Sequence, residues 1–166
     1  MKKLIIILVA MSVSLMAIDI GKPLPSIVLS SKNGGYADGK AWHSKHLEGS
    51  VHLIIYMDPD KRKNIEPLMK AIRQTSSKHF TMVAIVNLAA TWMPNRVLIS
   101  KLNEQKSKMK RTEYVFDKKR ILVSGWGLPD DDTTVIITDK KGRVFYQKNG
   151  KLSDTDVATI LKKITH

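Results

Sequence analysis

Two uninterrupted apolar runs dominate this chain. One is His52-Leu53-Ile54-Ile55-Tyr56-Met57, bounded by Gly49 and Pro59; the other is Thr81-Met82-Val83-Ala84-Ile85-Val86, ending at Asn87. Runs this short and continuous read as strands buried on both faces, as in sheets covered by helices. Between them Ile65, Leu68, Met69 and Ile72 recur at helical spacing, with Pro67 either in the first turn or as a kink. Strand, helix and buried strand make a βαβ unit, which favours a parallel pair joined by a right-handed crossover. A chain of 166 residues suits one such α/β domain and leaves little room for a second.

The flanking segments extend the pattern. Gly21-Lys22-Pro23-Leu24-Pro25 is a rigid lead-in, because each proline fixes its own φ and keeps its predecessor extended. Ser26 to Leu29 suits a short strand, and Ser31 to Gly39 is turn chemistry. A second helix starts after Pro94-Asn95, with Val97, Leu98 and Leu102 as its apolar positions. Tyr114-Val115-Phe116 is a short strand candidate. Thr133 to Thr138 and Arg143 to Gln147 form two strands joined by the tight turn Asp139-Lys140-Lys141-Gly142. A last helix opens at Ser153, with Asp156 three residues on, close to a capping box. The expected architecture is a central mixed β-sheet flanked by helices.

The start of the chain belongs to targeting rather than to the fold. Lys2 and Lys3 precede an apolar run from Leu4 to Ala17 broken only by Ser12 and Ser14. A basic start, a short apolar stretch and small residues before polar sequence mark a secretory signal. The run stops at Asp19, short of the roughly 20 apolar residues a spanning helix needs. The expected division is a signal peptide over 1–17, cut after Ser12, Ser14 or Ala17, and one domain over 18–166. The expected location is the periplasm.

Three segments resemble the thioredoxin superfamily: Gly21 to Pro25, the lead Leu47-Glu48-Gly49-Ser50-Val51 into the first central strand, and Thr133 to Val144. More narrowly, the chain is similar to the YtfJ family of periplasmic thioredoxin-like proteins. Ile85-Val86-Asn87, Trp126, Asp139 to Val144 and Asn149-Gly150-Lys151-Leu152-Ser153 carry that likeness. The resemblance implies the fold and export, and no established activity. Redox-active thioredoxins place two cysteines after the first central strand, at a helix start that lowers a thiol's pKa. If Pro67 is the familiar helix proline, those positions fall on Pro59-Asp60-Lys61-Arg62, and the cis-proline position falls on Thr133. The chain has no cysteine at all. Thiol–disulfide exchange and thiol peroxidase chemistry are therefore excluded, as are thiolate zinc sites and Fe–S clusters.

What stands near those positions is carboxylate. Asp58 and Asp60 flank Pro59, and Asp130, Asp131 and Asp132 precede Thr133. In this fold the two loops face each other beyond the carboxyl ends of the central strands. Asp58, Asp60, Asp131 and Asp132 are the candidate metal ligands, and Ca²⁺ is the candidate cation for such oxygen donors. The competing expectation is two turns rich in solvated aspartates, with Asp58 or Asp60 capping the helix. His43 and His46 beside Trp42 are read as surface packing. His52 stands in a strand, while His79 and His166 look like exposed ends. No G-x-S-x-G elbow and no glycine-rich phosphate loop occurs.

The formal net charge is +13, and its excess concentrates between Lys101 and Arg120. An exported protein rarely meets DNA, so nucleic acid is not the expected partner. An unidentified periplasmic protein or an anionic envelope component fits better. The expected function is a non-enzymatic binding or adaptor domain without a cofactor. The alternative is a metal-dependent or dispersed-residue enzyme at the aspartate-rich loops.

Overall fold

A computed structural model describes residues 17–75, 79–106 and 111–165. The expected signal segment before residue 17, Lys108 and Lys110 of the basic run, and His166 lie outside the described residues. The two apolar runs become β4 (Val51–Met57) and β5 (Phe80–Asn87), paired in parallel from Val51 opposite Phe80 to Met57 opposite Val86. Helix α1 (Glu66–Gln74) connects them, with Pro67 in its first turn, where a missing N–H costs nothing. A 3-10 segment, Pro59–Ile65, precedes it.

Four further strands complete a six-stranded mixed sheet. β6 (Thr112–Asp117) runs parallel to β5, and β7 (Thr133–Thr138) runs antiparallel to β4. β8 (Val144–Asn149) closes one edge against β7 as the expected hairpin. In its turn Gly142 takes φ +72°, and Asp139 accepts from the N–H groups of Lys141 and Arg143. The other edge is β2 (Gly34–Gly35), paired with Phe116 and Asp117 inside the segment read as turn alone. A Cβ on Gly34 would stand 1.9 Å from the Phe116 carbonyl oxygen, so only glycine lets this edge close. β1 (Val28–Leu29) and β3 (Trp42–His43) form a separate two-stranded ribbon.

The period of two sorts the strand side chains into two cores. Leu53, Ile55, Met82, Val86, Val135 and Ile137 face α1, α2 (Asn95–Lys106) and α4 (Asp154–Thr165). Ile54, Tyr56, Val83, Ile85, Val115 and Ile136 face the other side, where α3 (Ile121–Trp126) and the N-terminal segment cover them. Trp42 and Trp126 meet edge to face there, ring centroids 6.3 Å apart. Trp42 is fully buried, while its neighbours His43 and His46 are exposed as expected. α4 opens with a reciprocal cap: Asp156 N–H donates to Ser153 Oγ, and Ser153 N–H donates to the Asp156 carboxylate.

Candidate functional site

The strand order brings the two expected loops together. Thr133 lies opposite Met57 in the β4–β7 ladder, and the Asp58 N–H donates to the Asp132 carbonyl at 3.2 Å. Pro59, Asp60, Lys61 and Arg62 occupy the 3-10 segment immediately after β4, and Thr133 is fully buried at the start of β7. The start of this segment and Thr133 are therefore adjacent in space. None of the positions that match a redox pair or its facing proline carries sulfur.

The carboxylates at this rim are engaged one by one. Asp58 caps the 3-10 segment, its Oδ1 accepting from the Asp60 N–H at 2.8 Å. Burial pushes the Asp58 carboxyl above the usual carboxylate range, and the negative charges of Asp60 and Asp131 add to that. The Asp60 N–H and the Lys61 ammonium oppose it. Asp132 Oδ1 accepts from Asn64 Nδ2 at 2.9 Å and from the Thr133 N–H at 2.8 Å. Asp60 Oδ1 accepts from Thr91 Oγ1 at 3.3 Å, and Asp131 is exposed. Among the described residues no three His, Asp or Glu side chains gather as metal ligands would. The geometry is that of capped, hydrogen-bonded turns.

Behind the rim lies a polar network that the sequence reading did not single out. Asp117, at the end of β6, is fully buried and accepts four hydrogen bonds: from the N–H groups of Lys119, Ile121 and Leu122 at 2.9–3.1 Å, and from the Tyr56 hydroxyl at 3.4 Å. Burial and the adjacent Asp117 charge hold the Tyr56 phenol far above its ordinary range, so it remains a neutral donor. A second circuit closes on itself. Asn87 Nδ2 donates to Asp130 Oδ1 at 3.0 Å, and Arg120 Nε donates to the same oxygen at 2.6 Å. Arg120 Nη2 donates to the Ala89 carbonyl at 2.7 Å, and the Ala89 N–H returns to Asn87 Oδ1 at 3.1 Å. Arg120 sits at φ +56°, a left-handed conformation uncommon for a side chain other than glycine or asparagine. Its guanidinium thereby joins the loops after β5 and α3. The Arg120 charge counted in the basic run is thus paired with Asp130 at an exposed site. The available signal was Asp117 just ahead of an apolar segment, a helix-start pattern.

The most exposed large apolar side chain at this edge is Trp92, 88% accessible, in the loop after β5 that Thr91 ties to Asp60. Met93 beside it is half-buried and Val97, in the first turn of α2, is exposed.

Residues 19–166 match the family described as bacterial protein of unknown function, YtfJ_HI0045. The chain belongs to that family. An uncharacterised protein of Haemophilus influenzae is 27% identical over 158 residues, covering 89% of this chain and 85% of the relative. The uncharacterised protein YtfJ of Escherichia coli is 24% identical over 166 residues, covering 93% and 90%. Among solved structures, the thioredoxin domain of a thiol-disulfide oxidoreductase from Bacteroides vulgatus superposes with a TM-score of 0.63 at 16% identity, over 90% of this chain and 100% of that one. That likeness establishes a thioredoxin-like fold. It carries no activity across, because this chain has no thiol.

Proposed function

We propose that this chain is an exported, non-enzymatic binding or adaptor domain that uses the thioredoxin rim as a contact surface. The observation carrying this reading is Trp92, held out at the carboxyl edge of the sheet by a loop anchored to Asp60, where redox relatives work with sulfur. Exposed tryptophans are over-represented among residues that dominate binding energy. A rim that lacks cysteine and presents an aromatic anchor suits docking rather than exchange. The basic N-terminus followed by an apolar run supports export, and among the described residues no helix is long and apolar enough to cross a membrane.

The test is affinity capture from periplasmic extract with the purified protein and its Trp92→Ala variant in parallel. A partner retained by the parent and lost by the variant is expected. Retention of the same set by both, or robust insulin reduction or peroxide turnover by the purified protein, overturns the reading. Export is checked by fractionation, with a mature N-terminus at or near Ile18. Recovery of Met1-containing protein from the cytosol counts against it.

A further inference from the structure

The helix-covered face of the sheet has a depression that Trp92 does not line. Along β5 the side chains facing α1 are Met82, Ala84 and Val86. Ala84 is the smallest of them, and its neighbours in register are Ile55 on β4 and Tyr114 on β6. The volume a larger residue would fill is left as a cleft of about 60 Å³ between α1 and α2. Its floor is Ile55, Met57, Ile65 and Ala84, and Leu102 of α2 bounds it on the far side.

The near wall is one face of the segment running from the 3-10 turn into α1. Arg62, Glu66, Met69 and Arg73, spaced four, three and four apart, all border the cleft. Arg62, Glu66 and Arg73 are exposed at the mouth, Met69 is half-buried, and Tyr114 forms the end wall. Among the described residues neither the Arg62 nor the Arg73 guanidinium makes a hydrogen bond or ion pair. Two guanidiniums against one carboxylate leave the mouth net positive above an apolar floor. Burial raises the Tyr114 phenol above its ordinary value and the Arg73 charge opposes that, so this guanidinium bears on the cleft's end wall.

We propose that the α1–α2 cleft binds a short-chain aliphatic carboxylate, its alkyl tail over Ala84 and its carboxylate held by Arg62 and Arg73. The chemistry is complementary on both counts. Arginine offers a planar fork of donors that matches a carboxylate, and an alkyl chain replaces water on a floor that cannot hydrogen-bond to it. Space sets the length. At about 10–15 Å³ per water-sized group, the cleft takes a tail of about four to six carbons. Arg62 belongs to the 3-10 segment at the rim, but the cleft involves neither Trp92 nor Asp60, and its ligand is tested without a protein partner.

Hexanoate is the probe, with hexanol as its uncharged counterpart, titrated into the purified protein while the methyl resonances of Ala84 and Met69 are followed. Hexanoate should shift both in a saturable manner and hexanol should bind about tenfold or more weakly, since a charge-assisted hydrogen bond is worth at least that factor. The R62Q/R73Q variant, altered only at exposed positions, should bring hexanoate down to the affinity of hexanol and leave hexanol unchanged. Ala84→Val, which fills the floor, should abolish both while far-UV circular dichroism and melting remain cooperative. Absence of saturable shifts at millimolar hexanoate, equal affinities for acid and alcohol, or insensitivity to R62Q/R73Q overturns the assignment.

Discussion

His52 shows how burial alone sets the behaviour of a single side chain. It stands in β4 with its Nδ1 3.1 Å from the Ser50 carbonyl, so that nitrogen carries the hydrogen, and its Nε2 lies 3.4 Å from Ser50 Oγ. Burial pushes the ring below its ordinary value, and the Ser50 carbonyl only partly opposes this. A depressed folded value means that the unfolded chain takes up the proton first. The stability is fully present above about pH 6.5 and is lost as pH falls through that value toward the folded one. Urea midpoints measured from pH 7.5 to 5 should fall in this window, and His52→Gln should flatten the decline. Ser153 is a second local case. Its hydroxyl accepts from the Asp156 N–H at the start of α4, and Ser153→Ala should cost about 1 kcal/mol in denaturant unfolding.

At the scale of elements, legibility followed the range of the signal. The βαβ unit, the β7–β8 hairpin and the capping box of α4 were visible because neighbouring residues define them. Helix α3 was not. Its sequence Ile121-Leu122-Val123-Ser124-Gly125-Trp126 mixes β-branched residues with glycine and is a poor helix former. What holds it is Asp117, four and five residues upstream, accepting from the Ile121 and Leu122 N–H groups. Strand β1 lies inside the expected Ser26 to Leu29 strand, whereas its partner β3 escaped notice for a related reason: a two-residue strand exists only through its partner. At the rim, the sequence placed Asp58 and Asp132 on facing loops correctly. It could not show that Arg120 and Asp130 pair, since a charge inside a basic run looks solvated until the fold is known. Asp117→Ala should therefore cost about 3 kcal/mol or more, because it strands several buried donors at once. The loss should appear as a lower urea midpoint with an unchanged slope, and as faster amide exchange at Ile121 and Leu122.

For the whole molecule, the formal charge is +13, and Asp58, Asp132, Asp139 and Asp156 are committed to caps and turns. A cation held only by the folded form would raise stability by mass action, about 2.7 kcal/mol at a hundredfold excess over Kd. Because the rim aspartates accept hydrogen bonds separately, calcium up to millimolar concentration should leave the melting temperature unchanged. Scanning calorimetry with calcium and with chelator checks this. A rise that Asp60→Asn/Asp132→Asn removes would mean that the two loops close around an ion after all.

The thiol-free rim has a consequence for timing. In a dithiol relative the surface beyond the central strands exists in two chemical forms, and a partner can be taken up or released as electrons move. Here Pro59, Asp60, Lys61 and Arg62 offer no such alternation. A dithiol and a disulfide reagent meet the same face, with the same hydrogen bonds behind it. A complex formed there is not switched by thiol–disulfide exchange, so concentration, pH and salt take the place of a dithiol couple in setting its lifetime.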